Sequence, residues 1–197
     1  MGHHVEMTDG SVLFGGDSSV NGRLWMGGIA RRVDAVSELV GRQVTADEVD
    51  PYNWTSAVRG RQVSAAELMA AQERQQLWAV SVIEWCEQFD VLVTPTAGCP
   101  PMKTVDLEPP ADKPWKISSV YALIGLFTLP FNVTGQPAVS LPLHWTAEGL
   151  PVGVQFVAGM GREDLLVRLA AALEEAMPWA HRYPAGVSQV GVSQGAR

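Results

Sequence analysis

Apolar residues recur at steps of three and four along three stretches of the chain, a pattern that predicts helices with one buried face. The first stretch, about 18–40, stops at Gly41, a residue type that commonly closes helices. The second, 64–88, opens with a serine followed three residues later by a glutamate, which is a capping box. The third, 163–177, carries acidic residues in its first turn. The predicted buried positions of the first helix are Val20, Leu24, Trp25, Ile29, Val33, Val36 and Val40.

Short apolar runs between these helices predict strands. Val91, Leu92 and Val93 are apolar without alternation, which favours a strand buried on both faces. Residues 138–145 and 151–158 flank a turn-forming segment and predict a β-hairpin. A further short strand is predicted at 12–14.

The remaining stretches favour loops, short helices and a tail. Six of the 13 prolines fall within 95–116, which predicts a long extended loop, and a helix is predicted over 118–127. Residues 130–137 hold two prolines, an asparagine and a glycine, and predict an irregular, turn-rich segment. We therefore expect one folded unit over 1–184 and a flexible tail over 185–197, where a Gly-Val-Ser-Gln repeat occurs.

Composition narrows the class of protein. The chain has 197 residues, 47% of them hydrophobic, which is enough for a packed core. A net charge of −7 with three lysines argues against nucleic-acid binding. No apolar run is long enough to cross a membrane, and no signal peptide is recognisable. We expect a cytoplasmic protein that binds no membrane, cofactor or metal.

Several ordered motifs in the second half of the chain resemble the C-terminal third of the amidase signature family. The first half is similar more loosely, and its likeness is to amidases of the 6-aminohexanoate cyclic dimer hydrolase type. The resemblance spans about residues 2–184. The motifs of the second half are FDVLVTPT at 89–96, FNVTGQPAVSLP at 131–142, GLPVGVQ at 149–155 and the EDLL helix at 163–166 with Pro178-Trp179. Those of the first half are GHHVE at 2–6, Gly41-Arg42, Trp54 and 61–67.

This resemblance implies an α/β fold with a mixed twisted sheet flanked by helices, and hydrolysis of carboxylic amides. The family's catalysis uses a nucleophilic serine, a second serine with a cis peptide and a lysine base, in or near a Gly/Ser-rich region. That chemistry needs a lysine held neutral by burial and close backbone N–H groups for the oxyanion. This chain has no such region, so the resemblance implies a C-terminal portion without catalytic residues, with a small amide substrate only if the missing part completes it.

Two serine pairs superficially resemble a nucleophile loop. Ser18-Ser19 follows two glycines and Asp17, and Ser118-Ser119 follows Lys116. Neither pair has a small-residue loop to form an oxyanion hole, so we interpret both as helix caps rather than catalytic groups.

The cysteines and the first two histidines are weaker candidates. Cys99 lies in a loop without a recognisable histidine partner, which favours an ordinary thiol over a nucleophile. Cys86 is predicted to lie in the core. His3 and His4 suggest a metal site or a cloning remnant, but their match to a family strand favours native sequence and no ligand role.

The best remaining polar cluster is Asn132, Thr134, Gly135 and Gln136. In the resembled family this segment lies near the catalytic centre and supports the substrate pocket. The alternative is that Asn132 and Thr134 only satisfy backbone groups in a tight turn.

Three functions remain open. The chain is an inactive C-terminal part of an amidase, a subunit completed by a separate catalytic chain, or an interaction module that kept the scaffold. Because strands of a cut sheet expose apolar surface, self-association is also expected.

Overall fold

The computed structural model describes residues 2–110, 112–113, 115–116 and 120–182. The predicted tail at 185–197 and the serine pair Ser118-Ser119 lie outside the described residues. Within them the chain forms helices and a small antiparallel sheet, which confirms the α/β class. The elements are α1 (Ser18–Val40), α2 (Pro51–Gly60), α3 (Ala65–Cys86), β1 (Val91–Pro95), α4 (Val120–Ile124), α5 (Leu129–Thr134), β2 (Ala138–Trp145), β3 (Pro151–Ala158) and α6 (Glu163–Ala176).

Local capping signals set the ends of the long helices as predicted. Asp17 caps α1 by accepting a hydrogen bond from the Ser19 amide, and Gly41 ends α1 in the left-handed conformation (φ 71°). Ser64 and Glu67 form the expected capping box of α3. Helix α1 packs against α2 through a small apolar cluster, whose buried members are Ile29, Ala30, Val33 and Ala57.

The three strands lie in the order β1–β3–β2, and both pairs are antiparallel. The β2–β3 hairpin has the predicted bounds. Alternation along the strands separates two faces. One face packs on α6 through Leu141, Phe156 and Leu166. The other packs on α3 and α5 through Val157, Val82 and Phe131.

Two predicted elements are wrong, because local sequence signals and tertiary contacts favour other structures. The expected strand at 12–14 is a 3-10 turn, Ser11–Phe14, whose Leu13 enters the core. The Trp78 indole N–H donates to the Val12 carbonyl over 2.9 Å, so this carbonyl bonds to a side chain instead of a strand. The segment expected to be irregular contains α5, which tolerates Pro130 in its first turn and ends at Gly135 (φ 74°).

The prediction that β1 is buried on both faces is also wrong for the described residues. This strand lies at an edge of the sheet, and Val93 is 53% exposed. Its apolar sequence therefore lacks cover within the part of the chain that the structure describes.

Candidate functional site

Four polar side chains cross the sheet on the face that packs against α3 and α5. We call Thr94, Thr96, Ser140 and Gln155 the polar row. Gln155 is paired directly with Thr94 on one side and with Ser140 on the other. Thr96 follows β1, and its amide donates to the Gly153 carbonyl over 3.0 Å. Because directly paired residues and residues two apart share a face, all four side chains point the same way.

Gln155 is the most deeply buried residue of the polar row. It is 4% exposed, and its Nε2 donates to Thr94 Oγ1 over 3.1 Å and to the Phe127 carbonyl over 3.0 Å. These two bonds attach the 125–128 segment to the sheet. A buried amide without partners would be costly, so this arrangement fixes the position of Gln155.

The hydroxyl groups of Thr96 and Ser140 lie 2.6 Å apart across β3. They meet directly above Gly153. A Cβ atom at that position would lie 2.6 Å from Thr96 Oγ1 and 2.7 Å from Ser140 Oγ. Since the backbone at Gly153 is not in the left-handed region, glycine is required here for space, and this space permits the hydroxyl pair.

The cluster predicted from the sequence borders the polar row without joining it. Gln136 is buried, and its Nε2 donates to the carbonyl of Ala158, three residues beyond Gln155 on β3. Thr134 Oγ1 accepts from the Gln136 amide over 3.3 Å, which is a turn-stabilising bond. Gly135 is the left-handed cap of α5, and Asn132 is exposed on that helix.

The interior end of Gln136 has an unusual environment. Its Oε1 is buried and has no hydrogen-bond partner among the described residues, and the same side chain lies beside the Cys86 thiol. Cys86 lies in the core as predicted, and burial raises the pKa of its thiol. A thiol with a raised pKa is a poor nucleophile, so Cys86 is structural.

The other candidates do not assemble a catalytic centre in the described residues. The Ser19 amide donates to Asp17 over 2.8 Å, and hydrogen bonds from Ser19 lower the pKa of that carboxyl, so the first serine pair is part of a helix cap. No lysine hydrogen-bonds to a serine within the described part of the chain, and Lys113 pairs with Asp112 instead. Cys99 is a half-buried free thiol, and His4 lies near Glu6 on the surface.

The described residues hold neither a metal-ligand cluster nor a membrane-spanning helix. No group of three or more histidine, cysteine or acidic side chains is placed to hold a metal ion. None of the described helices is both long enough and apolar enough to span a bilayer.

Sequence reasoning missed the polar row, although a signal was present. Thr94 and Thr96 alternate with apolar residues, and Ser140 and Gln155 interrupt the apolar runs of the hairpin. Each residue alone is unremarkable in a strand. Only the register, which pairs β1 with β3 rather than with β2, brings them together.

Comparison with known proteins gives a consistent set of relatives. Residues 18–167 match the family model described as Amidase. The 6-aminohexanoate-cyclic-dimer hydrolases of Pseudomonas sp. (strain NK87) and Paenarthrobacter ureafaciens are each 39% identical over 163 residues, covering 79% of this chain and 33% of the relative. The putative amidase AmiC of Mycobacterium bovis is 42% identical over 102 residues, covering 51% of this chain and 21% of the relative.

The solved structures agree. A structure of 6-aminohexanoate cyclic dimer hydrolase superposes with a TM-score of 0.84 at 35% identity, over 93% of this chain and 40% of the other. The crystal structure of another amidase, 22% identical, shares the fold with a TM-score of 0.66. The superposition covers 84% of this chain and 36% of that amidase. The chain thus spans about a third of the length of these curated 6-aminohexanoate-cyclic-dimer hydrolases.

Proposed function

Because this chain belongs to the amidase signature family, we propose that it is the C-terminal portion of an amide hydrolase and supplies substrate-supporting scaffold rather than the catalytic groups. The observation that carries the proposal is the amidase match over 18–167 in a chain that spans about a third of its curated relatives. The nucleophile and its base would come from the part of an amidase that this chain does not match.

In this proposal the substrate lies beside the polar row and beside the neighbouring cluster of Asn132, Thr134, Gly135 and Gln136. The polar row lies on the face of β3 that packs on α5, and Gln136, next to the Gly135 cap of α5, bonds to the Ala158 carbonyl of the same strand. In this proposal Gln136 positions the pocket, Thr134 and Gly135 shape the turn, and Asn132 is exposed toward the substrate or the completing polypeptide.

A split amidase is the second candidate, in which a separate chain carries the catalytic serines and lysine. This candidate is supported by the unpaired outer edges of β1 and β2 in the described residues, since strands of a separate chain could pair with them. An interaction module on the same scaffold is the third candidate, and the exposed apolar side chains suit it equally.

Reconstitution tests the proposal. The chain is expressed with the segment of 6-aminohexanoate-cyclic-dimer hydrolase that precedes the matched region, and amine release from the cyclic dimer is measured. We expect turnover by the mixture and none by either polypeptide alone, because loss of the catalytic groups costs several powers of ten in rate.

The matched controls are Ser18→Ala and Ser140→Ala in the isolated chain. Amide hydrolysis by this chain alone that disappears in either variant would contradict the proposal. It would show that one of these serines is a nucleophile. No turnover by a folded mixture would instead favour the interaction module.

A further inference from the structure

A cavity of about 180 Å³ lies where the start of α1 meets the middle of α3. Its lining includes the charged side chains of Asp17 and Arg74, the carboxamides of Asn21 and Gln75, and the indole of Trp78. A water molecule takes about 30 Å³ in the liquid, so this space is sufficient for a small organic molecule. The cavity shares no residue with the polar row or with the cluster at 132–136.

The indole of Trp78 forms a fixed apolar wall of this cavity. Its N–H donates to the Val12 carbonyl over 2.9 Å, which sets the plane of the ring. Gly16 lies against the same ring, since a Cβ atom there would lie 3.0–3.1 Å from three ring carbons. Because the ring already contacts this backbone, a ligand would meet a wall that needs no rearrangement.

The two charged groups of the cavity lie close together, but no hydrogen bond joins them. The nearest oxygen of Asp17 is 4.0 Å from Arg74 Nη1. By contrast, the surface pair Arg42–Glu48 meets at 2.6 Å with a hydrogen bond. The guanidinium of Arg74 makes no hydrogen bond within the described part of the chain. Hydrogen bonds from Ser19 lower the pKa of the Asp17 carboxyl, so a positive and a negative group line the same small space at neutral pH.

The carboxamide pair beside these charges has hydrogen-bonding capacity that the fold does not use. Gln75 Nε2 donates to Asn21 Oδ1 over 2.9 Å. The other two amide atoms, Asn21 Nδ2 and Gln75 Oε1, make no hydrogen bond among the described residues. They can therefore offer a donor and an acceptor to a bound polar molecule.

We propose that this cavity binds a small α-amino acid in its zwitterionic form, with the carboxylate on Arg74 and the ammonium group on Asp17. An α-amino acid carries both charges within a few bonds of each other, which matches two cavity charges 4.0 Å apart. A lone anion or cation would be attracted by one of these groups and repelled by the other. The ligand's side chain lies against Trp78, and the inference is independent of the proposed function.

An NMR titration of the chain with L-alanine tests this inference. The Gly16 amide and the Trp78 indole N–H report on the cavity, and acetate and methylammonium each carry one half of the charge pattern. We expect saturable shifts of both signals with L-alanine. Each half should bind about fivefold more weakly, because it loses one ion pair. 6-Aminohexanoate should also bind more weakly than L-alanine, because its methylene chain separates the two charges.

Removal of each cavity charge separates the two contacts. Arg74→Gln should weaken L-alanine about twofold to fivefold, the value of a partly exposed ion pair. Asp17→Asn should have a similar effect while keeping the cap of α1, because asparagine is also a favoured capping residue. The matched control is Arg168→Gln, which removes a guanidinium that pairs with Asp164 on α6, and it should bind L-alanine like the parent chain.

The ligands with a single charge distinguish lost contacts from lost structure. Acetate should bind less tightly to Arg74→Gln and more tightly to Asp17→Asn, and methylammonium should show the reverse pattern. A variant that had lost structure would bind every ligand more weakly, so it could not produce these opposite changes.

Saturable binding of L-alanine together with the opposite changes for acetate and methylammonium would support the site. Absent shifts at Gly16 and Trp78, or an L-alanine affinity that neither variant changes, would overturn the inference. Equal affinities for L-alanine and acetate would also overturn it, because the ammonium group would then contribute nothing to binding.

Discussion

Gly60 lies where α2 crosses closest to α1, and a Cβ there would overlap the Met26 carbonyl. We predict that Gly60→Ala lowers the free energy of unfolding by about 1–3 kcal/mol, because two backbones must separate to accept one methyl group. Urea denaturation of the purified chain measures this change. Equal stability of the variant and the parent would contradict the close crossing.

Gly28 provides the matched control within α1. A Cβ at Gly28 meets no atom within 4 Å, so Gly28→Ala gains helix propensity without a clash. We predict a stabilisation of about 0.5–1 kcal/mol. The opposite signs of the two alanine variants distinguish the crossing from a general effect of removing glycine.

Glu48 gives a residue-scale prediction about pH. Hydrogen bonds from Arg42, then from the amide and hydroxyl of Thr45, lower the pKa of Glu48 from its usual 4.5 to about 2. A carboxyl whose folded pKa is depressed stabilises the fold above its unfolded pKa. That contribution is lost as pH falls from about 4.5 towards 2. We expect an NMR titration of Glu48 to give a midpoint well below 4, and Glu48→Gln to show a weaker loss of stability over this window.

The contrast between helix caps and the polar row shows which residues the sequence could predict. The caps at Asp17, Ser64 and Gly41 act within a few residues, so spacing alone identifies them. Thr96 and Ser140 are 44 positions apart, and their contact depends on strand register. No local pattern carries that information.

At the scale of elements, periodicity predicted α1, α3 and α6 but overestimated what they bury. Val20, Ile29 and Val33 of α1 are buried as expected, whereas Trp25 and Val36 are about half exposed. The spacing of apolar residues identifies the helix face that suits packing. It does not reveal whether another element of the chain covers that face. Helix α5 was missed because it is short and its proline and glycine also fit a turn.

The open edge at β1 leads to a prediction about association. Val93 is exposed on an edge strand, a position that promotes pairing between sheets of different molecules. We expect Val93→Lys to reduce self-association in analytical ultracentrifugation without abolishing the thermal transition. Val167→Lys on α6, where the valine is 68% exposed, is the control and should leave association unchanged. Equal effects of both variants would indicate a general influence of charge.

At the scale of the whole molecule, exposed apolar side chains occur on several elements. Trp25, Leu39 and Leu77 are examples on α1 and α3. Burial is worth about 25 cal/mol for each Å² of apolar surface, so this surface favours association or a completing polypeptide. We predict that the isolated chain binds a hydrophobic dye strongly, and that reconstitution with the amidase segment lowers the dye signal. A compact monomer with one sharp unfolding transition and little dye binding would contradict this prediction.

The position of β1 in the sheet also sets an order of events in folding. The β2–β3 hairpin closes across a short turn, whereas Thr94 of β1 bonds to Gln155 from 61 positions away. Closing the longer loop costs more chain entropy, so β1 is expected to dock after the hairpin has formed. Like β2, β1 has one unpaired side in the described residues, but no short turn connects it to β3, so we expect β1 to open first when the sheet fluctuates. We therefore expect the hydroxyl pair above Gly153 to form only after β1 has docked, and to be the first part of the sheet lost during partial unfolding.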